Sequence, residues 1–137
     1  MVKYSRQRES IKAYLMTRRD HPTADDVYTA IRRDFPNISL GTVYRNLSLL
    51  ASMGEITRLS CGDGVDHFDY NTEPHYHFIC KNCGCVQDIP MEFLRSIDDL
   101  AAKFFDGEIV GHSTVFYGTC SQCKNLKKAV DNDSKVC

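Results

Sequence analysis

The stretch His75–Asp88, HYHFICKNCGCVQD, holds two His, three Cys and one Asp, with strand-like alternation leading into a Cys-x-x-Cys-Gly turn. If His75 to Cys80 is a strand, His75, His77 and Ile79 share one face, and Tyr76, Phe78 and Cys80 share the other. The histidines therefore look away from the Cys80 thiolate. Cys80 and Cys83 flank a knuckle turn closed at Gly84, and Cys120 and Cys123 repeat the spacing downstream. Two such pairs form the ligand set of a tetrahedral structural zinc ion. The strand leaving the knuckle can return antiparallel, in a register that puts Asp88 opposite His77. Two imidazoles and a carboxylate then converge, an incomplete set for an octahedral ion, so the remaining ligands must come from elsewhere in the chain.

The chain has 137 residues, 42% of them apolar and 26% charged, as expected of a soluble globular protein with one ordinary domain or two small ones. Nothing resembles a signal peptide or a membrane span, so the cytoplasm is the expected location and a membrane is not an expected partner. The seven Cys are an odd total, and two CxxC pairs fit reduced, metal-binding thiols better than a disulfide framework. Cys61, Cys85 and Cys137 lack a paired spacing and read as ordinary thiols. The net charge of −1 hides an asymmetry: residues 1–59 carry ten Lys+Arg against six Asp+Glu, and residues 60–137 carry seven against twelve. The front can face a polyanion and the rear can hold cations.

Ser5 can cap a first helix with Ile11, Tyr14 and Leu15 at helical spacing. Thr23 reads as the N-cap of a second, with Asp26 at the third helical position and Ala24, Val27, Tyr28, Ile31 and Phe35 as its apolar stripe until Pro36 ends it. Ser39 can cap a third helix running to about Met53 and stopped by Gly54. There Val43, Leu47 and Leu50 face inward, while Gly41, Arg45 and Ser48 lie on the far side with Tyr44 at its edge. A stripe of small, aromatic and cationic residues suits a major groove. Ile56–Ser60 and Val65–Tyr70, joined by Gly62-Asp63-Gly64, read as a hairpin. Three helices and a hairpin make a winged helix-turn-helix.

The polar break Asn71-Thr72-Glu73-Pro74 marks a domain boundary. Beyond it come the His75 strand, the knuckle, a strand from Cys85 to Ile89, a helix marked by Leu94, Ile97, Ala101 and Phe104, and a strand from Glu108 to Tyr117. This β-β-α-β unit buries little core alone, so zinc and a partner subunit are expected to help hold it. From Asn125 the chain becomes a polar tail. The expected fold is α+β: a winged-helix domain over residues 1–70, a hinge at 71–74 and a metal-binding domain over 75–137.

The motifs HPTADDVY (21–28), GTVYRNL (41–47), HFDY (67–70), HYHFICKNCG (75–84) and YGTCSQC (117–123), in this order, resemble the ferric uptake regulator family of bacterial metal-dependent repressors. The resemblance spans roughly Tyr4 to Cys123. It implies a DNA-binding winged helix hinged to a dimerisation domain, with structural zinc on Cys80, Cys83, Cys120 and Cys123. It also implies a regulatory site on His21, Asp69, His75, His77 and Asp88, which completes the cluster left open above. Three imidazoles and two carboxylates suit Fe2+ or Mn2+. The implied partners are a second copy of the chain and a palindromic double-stranded operator, contacted through Gly41, Thr42, Tyr44, Arg45 and Ser48.

Asp at positions 69 and 88, where iron sensors more often carry Glu, makes the chain look more like the peroxide-sensing branch. By analogy His21 and His75 are the oxidation-sensitive ligands. Arg45 after Tyr44 is more typical of iron sensors, and Tyr76 stands where those proteins often place an additional ligand. The leading expectation is a metal-dependent, peroxide-responsive repressor that is not an enzyme. The alternative in the same fold is a regulator of iron or other divalent-metal uptake that binds its corepressor reversibly. A metal-dependent hydrolase built on His75, His77 and Asp88 lacks a nucleophile or separate base beside them. A thiol redox switch through the CxxC pairs is the remaining rival.

From position alone, His21 before Pro22 reads as a residue fixing the entry to a helix, and Asp69 and Asp88 could equally be surface carboxylates. His67 reads as structural, and His112 as a solvent or sheet residue.

Overall fold

The structure is a computed structural model that describes residues 3–60 and 64–126. The chain divides into two compact units, Met1–Thr72 and Glu73–Cys137. In the first, helices α1 (Arg6–Met16), α2 (Ala24–Ile31) and α3 (Leu40–Ser52) precede an antiparallel hairpin of β1 (Thr57–Ser60) and β2 (Asp66–Asp69). This is the winged helix-turn-helix expected from the sequence. Val65 and Tyr70 fall just outside the strand, and the turn residues Gly62 and Asp63 lie outside the described residues.

Each helix begins where a side-chain oxygen takes an otherwise unpaired backbone N–H. Ser5 Oγ accepts from Arg8 N at 3.2 Å, and Ser39 Oγ accepts from Thr42 N at 3.1 Å. Thr23 and Asp26 form a reciprocal capping box, Asp26 N to Thr23 Oγ1 at 3.2 Å and Thr23 N to Asp26 Oδ2 at 3.0 Å. At the end of α3, Gly54 takes φ +75° and the bonds Gly54 N to Ala51 O and Glu55 N to Leu50 O close a Schellman motif. The apolar stripes meet in one core, in which Ile11, Val27, Val43, Leu47, Leu50 and Phe68 are inaccessible to solvent. Helix α2 stops at Ile31, short of Pro36, because residues 32–35 wind into turns that return Phe35 N to Ile31 O at 3.0 Å. Proline disfavours a helical residue before it, and Phe35 still packs on the core.

The second unit is a three-stranded sheet in the order β4-β3-β5, formed by β3 (Tyr76–Cys80), β4 (Val86–Ile89) and β5 (Val115–Gly118). Strands β3 and β4 are antiparallel with His77 opposite Asp88, the register expected from the sequence. Strand β5 runs parallel to β3, after the crossover through α4 (Ser96–Ala102). The expected β-β-α-β order holds, with two corrections. The last strand begins at Val115 rather than Glu108, because the preceding segment carries His112 onto α4 instead of continuing the ladder: its Nδ1 donates to Asp98 Oδ1 at 2.8 Å. A short helix, α5 (Ser121–Leu126), follows the second CxxC and takes in Asn125 and Leu126, where a polar tail was expected. The rest of that tail lies outside the described residues.

Among the described residues, the buried cluster of this unit is built on Cys80, Cys85, Cys120 and Cys123 with Phe78 against them. Helix α4 and its flanks leave Leu94, Ile97, Leu100 and Phe104 exposed. The core is small, as read from the sequence: this cysteine cluster, with Tyr76, Ile79 and Val86 of the sheet buried besides.

Candidate metal centres and nucleic-acid interface

The four paired cysteines come together at the end of the sheet. Gly84, at φ +79°, lets the knuckle close with Gly84 N donating to Cys80 O at 2.8 Å. Cys80 Sγ accepts from Cys83 N and Cys120 N at 3.4 Å each, and Cys120 Sγ accepts from Cys123 N at 3.4 Å. The four sulfurs lie within 4.8 Å of one another, with Cys83 and Cys120 3.9 Å apart. Sulfurs about 2.3 Å from a tetrahedral zinc ion would be separated by about 3.8 Å. All four are free thiols, too far apart for a disulfide of about 2.05 Å.

Burial raises the Cys80 pKa, but backbone N–H groups of Cys83, Cys120 and Asn82 outweigh it and bring it down to about 6. Cys123 is lowered by the Asn82 side chain, yet burial and the neighbouring thiols of Cys120, Cys83 and Cys80 push it up to about 12. Cys80 is prepared as a thiolate, and Cys123 keeps its proton until a cation replaces it. The donor set fits zinc. Cys85, expected as an ordinary thiol, is instead disulfide-bonded; Cys61 and Cys137 lie outside the described residues.

In the first unit, His21 is buried and is the one non-glycine residue at positive φ among those described, at 56°. Such backbone strain needs surrounding support. Strand β2 supplies it: His67 Nδ1 donates to His21 O at 2.8 Å, Phe68 N donates to Pro22 O at 2.9 Å, and Thr23 bridges to His67. His67 is buried and structural, as read from the sequence. The result is that His21 Nε2 faces Asp69 Oδ2 at 3.4 Å, while Asp69 Oδ1 accepts from Asn71 N at 2.9 Å.

In the second unit, Asp88 Oδ1 lies 3.2 Å from His75 Nε2 and 3.4 Å from His77 Nε2, and the two rings are 4.3 Å apart. His75 Nδ1 donates to Glu73 O at 2.6 Å, which turns Nε2 towards the carboxylate. Each unit thus presents imidazole Nε2 atoms beside carboxylate oxygen, a donor type that suits Fe2+ or Mn2+. His112, expected at solvent or in the sheet, instead stacks on Phe93 at 4.5 Å and bonds Tyr76 through Nε2 and the phenol at 3.1 Å. It ties α4 to β3.

On α3, Gly41, Tyr44 and Arg45 are exposed and Thr42 and Ser48 half-buried, opposite the buried Val43, Leu47 and Leu50. Arg45 Nη2 donates to Thr42 Oγ1 at 2.9 Å. Sequence reasoning missed that the hairpin contributes to this face. Arg58 of β1 lies over the Tyr44 ring at 5.7 Å, and the Tyr44 hydroxyl donates to Asp66 Oδ2 at 3.1 Å. The outward alternation of Arg58 and Ser60 along β1 was the available signal.

The profile of the Ferric uptake regulator family matches residues 1–117. The peroxide-responsive repressor PerR of Staphylococcus aureus is 40% identical over 124 residues, 90% of this chain and 84% of that protein. The crystal structure of the Campylobacter jejuni peroxide stress regulator is similar with a TM-score of 0.71 and 31% identity, over 85% of this chain and 88% of that one. A ferric uptake regulator from Francisella tularensis, solved with iron, gives a TM-score of 0.74 at 25% identity, over 90% and 95%. With the winged helix, the cysteine cluster and the imidazole–carboxylate groups in place, this chain belongs to the Ferric uptake regulator family.

Proposed function

We propose that this chain is a metal-dependent, peroxide-responsive transcriptional repressor that acts as a cytoplasmic homodimer on a palindromic operator. The observation that carries the reading is the matched presentation of donors in the two units. The first offers His21 Nε2 beside Asp69, and the second offers His75 and His77 Nε2 beside Asp88. Neither half suffices for a six-coordinate ion, and together they supply three imidazoles and two carboxylates. One ion held by all five residues ties the units across the hinge at 71–74. If the tied arrangement alone spaces two α3 helices for an operator, metal affinity and DNA affinity share one coupling free energy.

Cys80, Cys83, Cys120 and Cys123 hold the structural zinc, and Gly41, Thr42, Tyr44, Arg45 and Ser48 form the DNA-reading face. The 40% identity to a peroxide-responsive repressor and the Asp residues at 69 and 88 favour peroxide sensing. Fe2+, when bound, supplies the reducing electrons for hydrogen peroxide, which Mn2+ does not. His21 and His75 are the ligands that take up oxygen. An oxidised imidazole is a poorer donor, so the metal is lost and the repressor leaves DNA.

The test is to load the zinc-bound protein anaerobically with Fe2+, add stoichiometric hydrogen peroxide and map added oxygen by peptide mass spectrometry, with Mn2+-loaded protein as the control. Oxygen on His21 or His75 in the iron sample alone, with loss of DNA binding, is the expected result. Intact histidines, with DNA binding that follows free metal, would move the assignment to a reversible metal-uptake regulator.

A further inference from the structure

The wing hairpin holds an arginine whose setting the DNA-reading face of α3 does not explain. Arg58 lies on β1, opposite Phe68 of β2 in the ladder. Its guanidinium sits 5.7 Å from both the Tyr44 and the Phe68 ring centroids. Its Nε is 3.7 Å from Asp66 Oδ2, and its Nη2 donates to Ser48 Oγ. The same Asp66 oxygen accepts from the Tyr44 hydroxyl at 3.1 Å, and the Tyr44 ring meets Phe68 edge-on, with centroids 6.5 Å apart.

Tyr44 and Ser48 are four residues apart, so they are neighbours on one face of α3. Arg58 therefore reaches from the wing onto that face, across two of the residues assigned to DNA. Its side chain remains 37% exposed. A stability role accounts poorly for this arrangement. An exposed ion pair contributes little, whereas ordering an arginine side chain costs substantial rotamer entropy. The ordering has a use if the planar fork is to meet a planar or tetrahedral anion, because less freedom is then lost on binding. The contacts named engage Nε and Nη2 of a group with five N–H donors, so donors remain to offer.

We propose that Arg58 is a DNA-contacting residue: the wing arginine, held over Tyr44 and Ser48 by Asp66, donates to a backbone phosphate of the duplex that α3 enters. Asp66 is a positioning residue for both Arg58 and Tyr44. The inference rests on the DNA-binding reading above and adds to it a phosphate contact from the hairpin.

The test uses the full-length, zinc-bound, Mn2+-loaded protein and a duplex that the wild-type protein selects from a randomised library. Fluorescence anisotropy gives the affinity over a salt series for wild type, Arg58→Lys and Arg58→Gln. Gln keeps a polar stem while removing the charge, and Arg58→Met serves the same measurement should Gln fail to fold. The expected result is a slope of log affinity against log salt shallower by about 0.9 for the neutral variant, with the wild-type slope retained by Lys at lower affinity. A wild-type slope in a folded neutral variant would make Arg58 a tie within the protein and overturn the inference alone. Failure of the wild-type protein to select or bind any duplex would overturn the DNA-binding reading as well.

Discussion

The ring of His67 carries the backbone of His21: Nδ1 donates to the His21 carbonyl at 2.8 Å, and both residues are buried. His21 is thereby held at φ 56° with its Nε2 towards Asp69. His67 is a positioning residue for a proposed metal ligand. His67→Ala is expected to weaken Mn2+ binding by about 10- to 100-fold, the usual consequence of removing an outer-shell partner. It also removes a hydrogen bond to the buried His21 carbonyl, at about 0.5–1.5 kcal/mol. Calorimetric Mn2+ titration checks the first effect and metal-free melting the second; unchanged Mn2+ affinity would mean the strained backbone supports itself.

Zinc affinity should rise with pH. With Cys123 pushed up to about 12 and Cys80 brought down to about 6, the metal-free cluster at neutral pH holds one sulfur largely as thiolate and at least one firmly protonated. Binding must expel that proton, so raising the pH favours zinc and lowering it favours release. Competition with a chelator across pH, corrected for the chelator's own protonation, measures the slope. Cys120→Ser should lose the zinc altogether, and because the cysteine cluster is a main part of the described core of this unit, its sheet should lose order with it. Elemental analysis and circular dichroism report the two losses.

What could be read from the sequence was what rests on short-range rules. Ser5, Thr23 and Ser39 cap because a hydroxyl three residues before a free N–H is a local matter. His77 meets Asp88 because the knuckle fixes the return register of its own hairpin. The four cysteines met because their spacing leaves zinc few alternatives. What escaped depends on contacts between distant segments. Nothing near His112 reveals that Phe93, Asp98 and Tyr76 converge on it, and so the sequence pattern makes β5 longer than it is. Arg58 was passed over because its role comes from two elements that meet only in the fold. His21 is readable as a candidate ligand only through the family motif, since its local sequence describes a helix entry.

Gly54 offers a test free of packing effects. It sits at φ +75° in the Schellman motif ending α3, and a Cβ there would meet nothing within 4 Å. Gly54→Ala therefore carries only the left-handed backbone penalty, expected to be about 1 kcal/mol. Urea unfolding of the full chain with metals bound should show a lower midpoint and an unchanged m-value. A larger loss would mean that the C-terminus of α3 is displaced, in which case DNA affinity should fall with it.

The exposed apolar residues of the second unit lead to the last expectation. Ile97 and Leu100 lie on α4 at helical spacing, with Leu94 before it and Phe104 just beyond, and Leu100 is 57% and Phe104 85% exposed. An apolar stripe of this kind on a short helix needs a cover. In a homodimer the same stripe of a second copy supplies it, through an isologous contact in which each patch meets its own image. Leu100→Glu combined with Phe104→Glu should then shift the protein to monomer in sedimentation equilibrium. The cysteine cluster lies on β3, the knuckle and α5 rather than α4, so zinc content should be retained, which separates a lost interface from a lost fold. DNA binding should fall as well, since two half-sites are no longer engaged together. A zinc-replete dimer in the double variant would show that a surface other than α4 holds the copies together.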